Sequence, residues 1–404
     1  VRASAADFAR PIAEFMTSAP LVTARVGTTL DEAKVVRGAV PASIFQSINP
    51  VFLSANNLVN ILFDCSTIGV ISLGIVCILM LGEIDLSVGS VSGFASALLG
   101  VLWVNQGWPL AGAVVAALAV GAAIGMVYAF LFNRFGMPSF VSTLAGLLAV
   151  LGLQLYILGS TGSINLPFDS ALVRFGQILV MPKWLSYLLV AVIGVAILTT
   201  RMRTATRRKA AGLSARSTSA AVLEAGVVTA LLALLVFYLN QSRGVPWMFG
   251  LFVGLVVLMN YAFTRTQWGR AMTAVGGNRE AARRAGINVK RVYSTAFVLC
   301  ATFAAAGGIL SAARLAASSQ QAGTGDVNLN AIAAAVIGGT SLFGGRGSAY
   351  SALLGIVVIQ AIASGLTLLD LSSSLRYMIT GAVLAIAVIV DSLARRSRVS
   401  HGRA

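Results

Sequence analysis

Residues 58–81 read LVNILFDCSTIGVISLGIVCILML, an apolar run that decides the fold class of the chain. A bilayer core is about 30 Å thick, and a helix needs about 20 apolar residues to cross it. Two further runs, 90–104 and 331–341, are too short to span comfortably. The other runs are 109–132, 141–159, 184–200, 219–239, 246–264, 293–313, 351–371 and 375–393. The sequence predicts an all-α, polytopic membrane helical bundle with about nine to eleven apolar segments.

The composition supports a membrane location. Of the 404 residues, 57% are hydrophobic and 10% are charged, whereas soluble proteins carry about 25% charged residues. The mean hydropathy is +0.88. We therefore predict a multi-pass protein of the inner (plasma) membrane, embedded in the lipid bilayer.

The formal net charge of +16 comes from three short segments. Residues 201–218 carry six basic residues and no acidic residue. Residues 265–292 carry seven basic residues and one acidic residue, and residues 394–404 carry four basic residues and no acidic residue. Basic residues in short loops near helix ends stay on the cytoplasmic side. The charge therefore marks orientation. No nucleic-acid partner is expected, since that would need one basic stripe on a folded domain.

Three regions follow from this pattern. Residues 1–57 are a polar N-terminal segment of uncertain structure and side, without the charged start and apolar core of a signal peptide. Residues 58–393 form the transmembrane domain, and residues 394–404 form a basic cytoplasmic tail. With the basic segments inside, residues 160–183 become the longest external loop, and residues 201–218 become a cytoplasmic loop.

Few side chains are suited to catalysis or metal binding. Cys65, Cys77 and Cys300 lie in apolar runs without metal-ligand spacing, and the one histidine, His401, lies in the tail. No GxxxxGK[ST] phosphate-binding loop occurs. We predict that the chain is not an enzyme, with no catalytic residue, metal or cofactor, and that any ATP hydrolysis belongs to a partner.

Two polar breaks interrupt the apolar pattern, each beside a short run. Residues 82–90 read GEIDLSVGS, and residues 338–348 read GGTSLFGGRGS. Short, glycine-interrupted segments in the two halves of a chain point to a translocation site. The alternative is a pair of tight turns at the cytoplasmic surface, and the sequence leaves both interpretations open. The candidate path residues are Glu83, Asp85, Ser87, Gly89, Ser90, Gly338, Gly339, Thr340, Gly344 and Gly345.

Other polar residues accompany the apolar runs. Among the ionisable ones, only Glu224 is interpreted as lying several residues inside a run, while most of the rest fall near run ends, where long side chains reach water. The others are Arg314, Asp326, Asp370, Arg376 and Asp391. Uncharged candidates for lining a path are Asn328, Asn330, Thr340, Gln154 and Gln360.

The basic loop 265–292 has more pattern than a solvated loop requires. Asn278 is predicted to cap a short helix, Glu280 lies at its positive N-terminal end, and Gly286 supplies a stop. We interpret this helix as a rigid element that a partner binds and through which the partner moves the spanning helices. The alternative is a solvated loop whose arginines only mark the cytoplasmic side.

Three motifs resemble one family. GEIDLSVGS at 82–90, GRAMTAVGGNREAARRAGI at 269–287 and IGGTSLFGGRGS at 337–348 are similar to the membrane permeases of bacterial ribose- and xylose-type ABC sugar importers. The resemblance runs from about Asn49 to about Leu393. The basic insert at 201–218 and RGVPW at 243–247 resemble the xylose-type members most.

The resemblance implies partners and a coupling site. Two permease copies, a homodimer, would pair with a cytoplasmic ATP-binding subunit, and an extracytoplasmic sugar-binding protein would deliver the substrate. Rigid-body alternating access would follow from ATP-driven motion of the coupling loop. The residues that match the family's coupling loop are Gly276, Gly277, Asn278, Glu280, Ala281, Ala282, Gly286 and Ile287.

The N-terminal segment departs from that family. Its members usually have a spanning helix just before the resemblance begins, and residues 20–48 are too polar to be that helix. Residues 16–33 faintly resemble the opening of a CBS nucleotide-sensing module but cover well under half of one.

Several functions are compatible with a membrane bundle. The resemblance favours import of a monosaccharide, xylose or a related sugar, and a nucleoside or other small polar solute is the close alternative. An ion-coupled secondary carrier is opposed by the Glu-Ala-Ala loop. A membrane-embedded enzyme is opposed by the lack of a nucleophile with a base.

Overall fold

The computed structural model describes residues 51–214 and 217–369, together with 371–372, 374–375, 378–383, 385–386 and 389. The predictions for residues 1–50, for the tail 394–404 and for part of the run 375–393 lie outside the described residues. Asp370, Arg376 and Asp391 lie outside them as well.

The described part of the chain is built from helices, nine of which are long and apolar enough to cross a membrane. Its α-helices are α1 Ala55–Leu79, α2 Val88–Gly100, α3 Leu110–Phe135, α4 Ser139–Leu158, α5 Ala171–Gln177, α6 Lys183–Ala210, α7 Thr218–Leu239, α8 Trp247–Arg265, α9 Gln267–Gly277, α10 Arg279–Arg284, α11 Val289–Leu315, α12 Val327–Ile337 and α13 Ala349–Leu368. The predicted all-α membrane helical bundle is confirmed.

The second apolar segment is longer than the sequence suggested. The helix begins at Val88 and its last turn widens into a π-helix, so the continuous segment Val88–Asn105 has 18 residues. The expectation that this segment is too short to span was wrong. Its serines do not interrupt the helix, because Ser90 and Ser92 donate their hydroxyls to carbonyls of the preceding turn. The other short segment is confirmed as α12, with 11 residues.

Helices α1 and α11 form the core of the bundle. Most of the apolar window of α1 is buried (83%), against 17% in α6 and α7. Small residues allow backbones to approach, as in other membrane bundles. A Cβ atom added at Gly125 of α3 would lie 2.5 Å from the carbonyl oxygen of Phe297 in α11. The outer faces of α6 and α7 therefore remain for lipid or another chain.

The two loops predicted around α5 and α6 contain regular structure. In the external loop, strand β1 (Ser163–Asn165) pairs antiparallel with β2 (Ala317–Ser319), with Ile164 opposite Ser318. The cytoplasmic loop is shorter than predicted, because α6 continues through the basic residues to Ala210. The prediction of a loop from residue 201 was wrong, since arginine and lysine are good helix formers once a helix leaves the bilayer.

Candidate coupling and translocation site

The α1–α2 break is organised by a buried carboxylate. Gly82 adopts the left-handed conformation (φ 76°) that turns the chain after α1. Asp85 is buried, and its Oδ1 accepts hydrogen bonds from the Ser87 N–H at 2.8 Å and the Ser87 hydroxyl at 2.7 Å. Burial raises the pKa of the Asp85 carboxyl, and the hydrogen bonds from Ser87 oppose that rise. The break is thus a folded polar turn inside protein.

We expect the acceptor oxygen of Asp85, and not its charge, to hold this turn. Asp85→Asn keeps Oδ1 and is neutral, so its free energy of unfolding should stay within about 1 kcal/mol of the native value. Asp85→Leu leaves two buried donors of Ser87 without their acceptor and should cost about 1–3 kcal/mol. Thermal unfolding in detergent measures both, and equal stability of the two variants would contradict this role.

The second break also contains glycines in the left-handed backbone conformation. Gly339, Gly344 and Gly345 have φ values of 106°, 79° and 72°, which disfavour any side chain. Gly338 packs against the backbone of Ser351 at the start of α13, where a Cβ atom would overlap the Ser351 carbonyl oxygen. Thr340 is buried beside it, with 1% of its surface exposed.

The two breaks meet the basic loop 265–292 at one place, which we call the junction: Met80–Gly82, Gly276–Gly277 and Gly344–Gly345. The Gly345 N–H donates to the Met80 carbonyl oxygen at 2.9 Å. A Cβ atom at Gly276 would overlap the same oxygen and would lie 2.7 Å from the Gly345 nitrogen. The sequence did not show that these motifs meet. Both breaks are turns, but the first is not the surface turn of one interpretation, since Asp85 is buried, and both are joined directly to the loop.

The short helix predicted in this loop is present as α10. The Asn278 Oδ1 accepts from the Ala281 N–H at 2.9 Å, which confirms the predicted cap. Glu280 pairs with Arg283 at 2.9 Å and with Arg284 at 3.2 Å on the exposed side. On the other side Ala282 is buried, Gly286 ends the helix (φ 82°) and Ile287 packs against the core. The helix therefore presents a charged surface on an anchored base.

Arg279 fastens α10 to the spanning helices. Its guanidinium lies 5.4 Å from the ring centroid of Phe132 in α3 and 5.3 Å from that of Tyr293 in α11. Cation–π contacts of this kind are worth about 0.5–2 kcal/mol. Tyr293 also lies close to Glu83 of the first break, whose Oε2 accepts from the Ser139 hydroxyl at the start of α4. Contacts therefore run from α10 through the first break to three spanning helices.

A third segment, which follows β2, also reaches the first break. After β2, the chain returns along α2, so that Gly93 packs against Ala322. The Asn328 side-chain oxygen accepts from the Gly89 N–H. Gln154 of α4 holds the same segment, donating to the carbonyls of Ser319 at 3.0 Å and Ala322 at 2.9 Å. These contacts place α12 opposite the start of α2.

The remaining uncharged candidates do not form one lining. Asn330 is buried and donates to Asp326 at 2.9 Å within the first turn of α12. Gln360 of α13 lies elsewhere, 3.5 Å from the carbonyl oxygen of Asp64. The structure thus brings Gln154 and Asn328 together at Gly89–Gly93 and separates Gln360 from them.

Asp64 is a polar residue that the sequence interpretation missed. It lies inside the apolar run of α1, so the statement that only Glu224 lies inside a run was wrong. Its Oδ1 binds the Arg314 Nε at 2.8 Å, so Arg314 pairs with a carboxylate and does not simply reach water from a run end. A carboxylate in the middle of an apolar helix was the available signal. Glu224 pairs with Arg201 at 2.6 Å, toward the C-terminal end of α6 and the N-terminal end of α7.

A bundle of spanning helices with interrupted segments and a rigid, anchored helical loop defines a membrane transport protein. Residues 57–388 match the family model described as branched-chain amino acid transport system / permease component, and the chain belongs to this family. A multi-pass protein of this family resides in the inner membrane. No solved structure matches the chain.

Its relatives are permeases of transport systems. The xylose transport system permease protein XylH of Escherichia coli strain K12 is 35% identical over 346 residues, 85% of this chain and 87% of the relative. The probable ABC transporter permease protein YphD of the same strain is 33% identical, covering 87% and 86%. The ribose import permease protein RbsC of that strain is 29% identical, covering 90% and 94%. The chain is an ABC sugar permease of the ribose/xylose type, a transporter subunit and not an enzyme.

Proposed function

We propose that this chain forms the membrane path through which a monosaccharide, xylose or a related pentose, is imported with energy from a separate ATP-binding subunit. The observation that carries the proposal is the junction, at which the loop meets both breaks through backbone contacts. The xylose assignment is supported by the 35% identity to the xylose permease, against 29% for the ribose permease.

The ATP-binding subunit docks on α10 in this proposal. Support comes from the exposed charges of Glu280, Arg283 and Arg284 on a helix whose other side is anchored. The chain lacks a GxxxxGK[ST] phosphate-binding loop of its own. A sugar-binding protein delivers the substrate outside, and a second copy of the chain completes the path.

Motion of α10 reaches the path through two routes. In the first route, Arg279 contacts the rings of Phe132 and Tyr293. In the second, the backbone of Gly276 packs against the backbone of Met80 and Gly345. The first route ends in α3 and α11, and the second ends at the α1–α2 break and at the turn before α13. Because packed helices move as units, ATP-driven motion of the subunit rocks these helices together, which is alternating access.

Uptake by the complete importer in proteoliposomes tests the proposal. The chain, its ATP-binding subunit and its loaded binding protein should accumulate labelled xylose only when ATP is supplied. Accumulation driven by an ion gradient without the ATP-binding subunit would show a secondary carrier. Uptake of nucleosides but of no pentose would overturn the substrate assignment.

We expect Gly277→Trp and Glu280→Arg to weaken docking of the ATP-binding subunit at least tenfold. Tryptophan adds bulk beside α10, and arginine reverses a charge and removes two ion pairs. The measurement is retention of the ATP-binding subunit in a pull-down, together with uptake.

Gly277→Ala is the matched control, since a Cβ atom at Gly277 meets nothing within 4 Å. It should behave as the native protein does. If both test variants retained the ATP-binding subunit and took up sugar as the native protein does, the docking role of α10 would be contradicted.

A further inference from the structure

A polar stripe occupies one face of the most apolar helix of the core. Asn57, Asn60 and Asp64 follow each other at intervals of three and four residues, so they share one face of α1. Beyond them, every residue from Gly69 to Leu81 is buried. The stripe therefore begins at the external end of α1 and stops partway through the helix.

Asp64 lies at membrane depth and is not enclosed by its own chain. At 1.5 Å per residue it is about 13 Å along α1 from Ala55. Its side chain nevertheless keeps 44% of its surface exposed. A charged group at this depth does not face lipid; it faces protein or a water-filled path. The exposed side of Asp64 therefore faces a polar interior space.

Helices α11 and α13 place polar groups beside the polar stripe of α1, and we call the combined set of side chains the wall. Arg314 of α11 donates its Nε to Asp64 at 2.8 Å and its Nη2 to the Asn60 Oδ1 at 3.4 Å. From α13, Gln360 approaches the Asp64 carbonyl at 3.5 Å, and Ser364 hydrogen-bonds Asn57 at 3.0 Å. All six residues are only partly buried.

The chemistry of this wall suits a neutral polyhydroxylated solute. Hydroxyl groups both donate and accept, and the wall offers a carboxylate, a guanidinium and amides at hydrogen-bond spacing. The Asp64 charge is matched by Arg314, and a second guanidinium, that of Arg243, donates to the Asn60 Oδ1 at 3.5 Å, so the wall does not attract a lone cation as an ion-coupled carrier would require.

We propose that Asp64 and Arg314, with the amides of Asn60 and Gln360, form a subsite that binds the hydroxyl groups of the transported sugar in the external half of the path. This inference rests on the proposed function. It adds the residues that the sugar touches after it leaves the binding protein.

The test uses the complete importer in proteoliposomes with saturating loaded binding protein, measuring sugar uptake and ATP hydrolysis separately. Asp64→Asn should lower uptake at least tenfold while ATP hydrolysis stays within twofold, because α10 and the junction are unchanged. Unchanged uptake in Asp64→Asn would overturn the subsite. Absence of uptake by the native importer would instead refute the proposed function, so the two failures are distinct.

The exchanged pair Asp64→Arg with Arg314→Asp separates binding from structure. It restores an ion pair and should restore the melting temperature without restoring uptake. Native uptake by the exchanged pair would overturn the proposal, because the pair would then be structural. The matched control is Glu224→Gln, which breaks the Arg201 ion pair near the cytoplasmic end and should leave uptake unchanged.

Asn60→Ala and Gln360→Ala decide the matter if the exchanged pair does not fold. Asn60 and Gln360 are uncharged, so neither substitution removes a member of an ion pair. Each removes one amide from the wall. Loss of uptake by at least fivefold with an unchanged melting temperature supports the subsite. Native uptake in both variants overturns it.

Discussion

Gly276→Val is expected to reduce ATP-driven sugar uptake more than a hundredfold while the protein still folds. A Cβ atom at this position overlaps the Met80 carbonyl oxygen and crowds the Gly345 nitrogen. Both are backbone atoms that cannot rotate away, so the loop must separate from the two breaks. Uptake and ATP hydrolysis by the reconstituted importer measure the effect, and hydrolysis should continue without transport.

The neighbouring glycine provides the comparison for this prediction. Gly277→Ala adds a Cβ atom one residue further along, in open space, and should transport at the native rate. If Gly276→Val also transported normally, the junction would not carry motion from α10 to the breaks, and the proposed mechanism would fail.

Gly308→Val is expected to prevent folding of the membrane domain. In α11, a Cβ atom at Gly308 would overlap the carbonyl oxygen of Ser92 in α2. Overpacking of cores usually costs about 1–3 kcal/mol, and more when backbones must separate. Because α2 and α11 pack along their length in the core, we expect a loss of at least about 3 kcal/mol. Expression of monodisperse protein and its melting temperature are the measurements.

A second helical glycine controls for the valine itself. A Cβ atom at Gly254 of α8 meets nothing within 4 Å, so Gly254→Val keeps the same helix-propensity change without the overlap. It should remain monodisperse. A Gly308→Val protein with the native melting temperature would show that α2 and α11 do not pack as described.

Local features of the fold were predictable from neighbouring residues. The apolar run of α1, the short α12 and the Asn278 cap of α10 depend on side chains within a few turns of each other. The extent of α2 was mispredicted because its serine hydroxyls donate to backbone carbonyls of the same helix, so serine does not end it. The extent of α6 was mispredicted because a helix continues into water when its residues favour the helical conformation.

The candidate site was only half predictable. Its motifs were visible as glycine-rich breaks and a capped loop, but Gly82, Gly276 and Gly345 are far apart in the chain, and nothing local states that their backbones touch. Asp64 was visible in the sequence as a carboxylate within an apolar run, but its partner Arg314 is 250 residues away, and no local pattern indicates that the two pair.

The sequence by itself determined which segments are apolar enough to enter the membrane, because transfer to hydrocarbon acts on each segment separately; the side of the basic loops stays a prediction from their charge. Only the tertiary structure decided which segments meet, because helix contacts in a bilayer depend on small residues facing one another across different helices. The junction and the Asp64–Arg314 pair belong to this second kind, and they are the parts of the molecule on which the proposed transport mechanism rests.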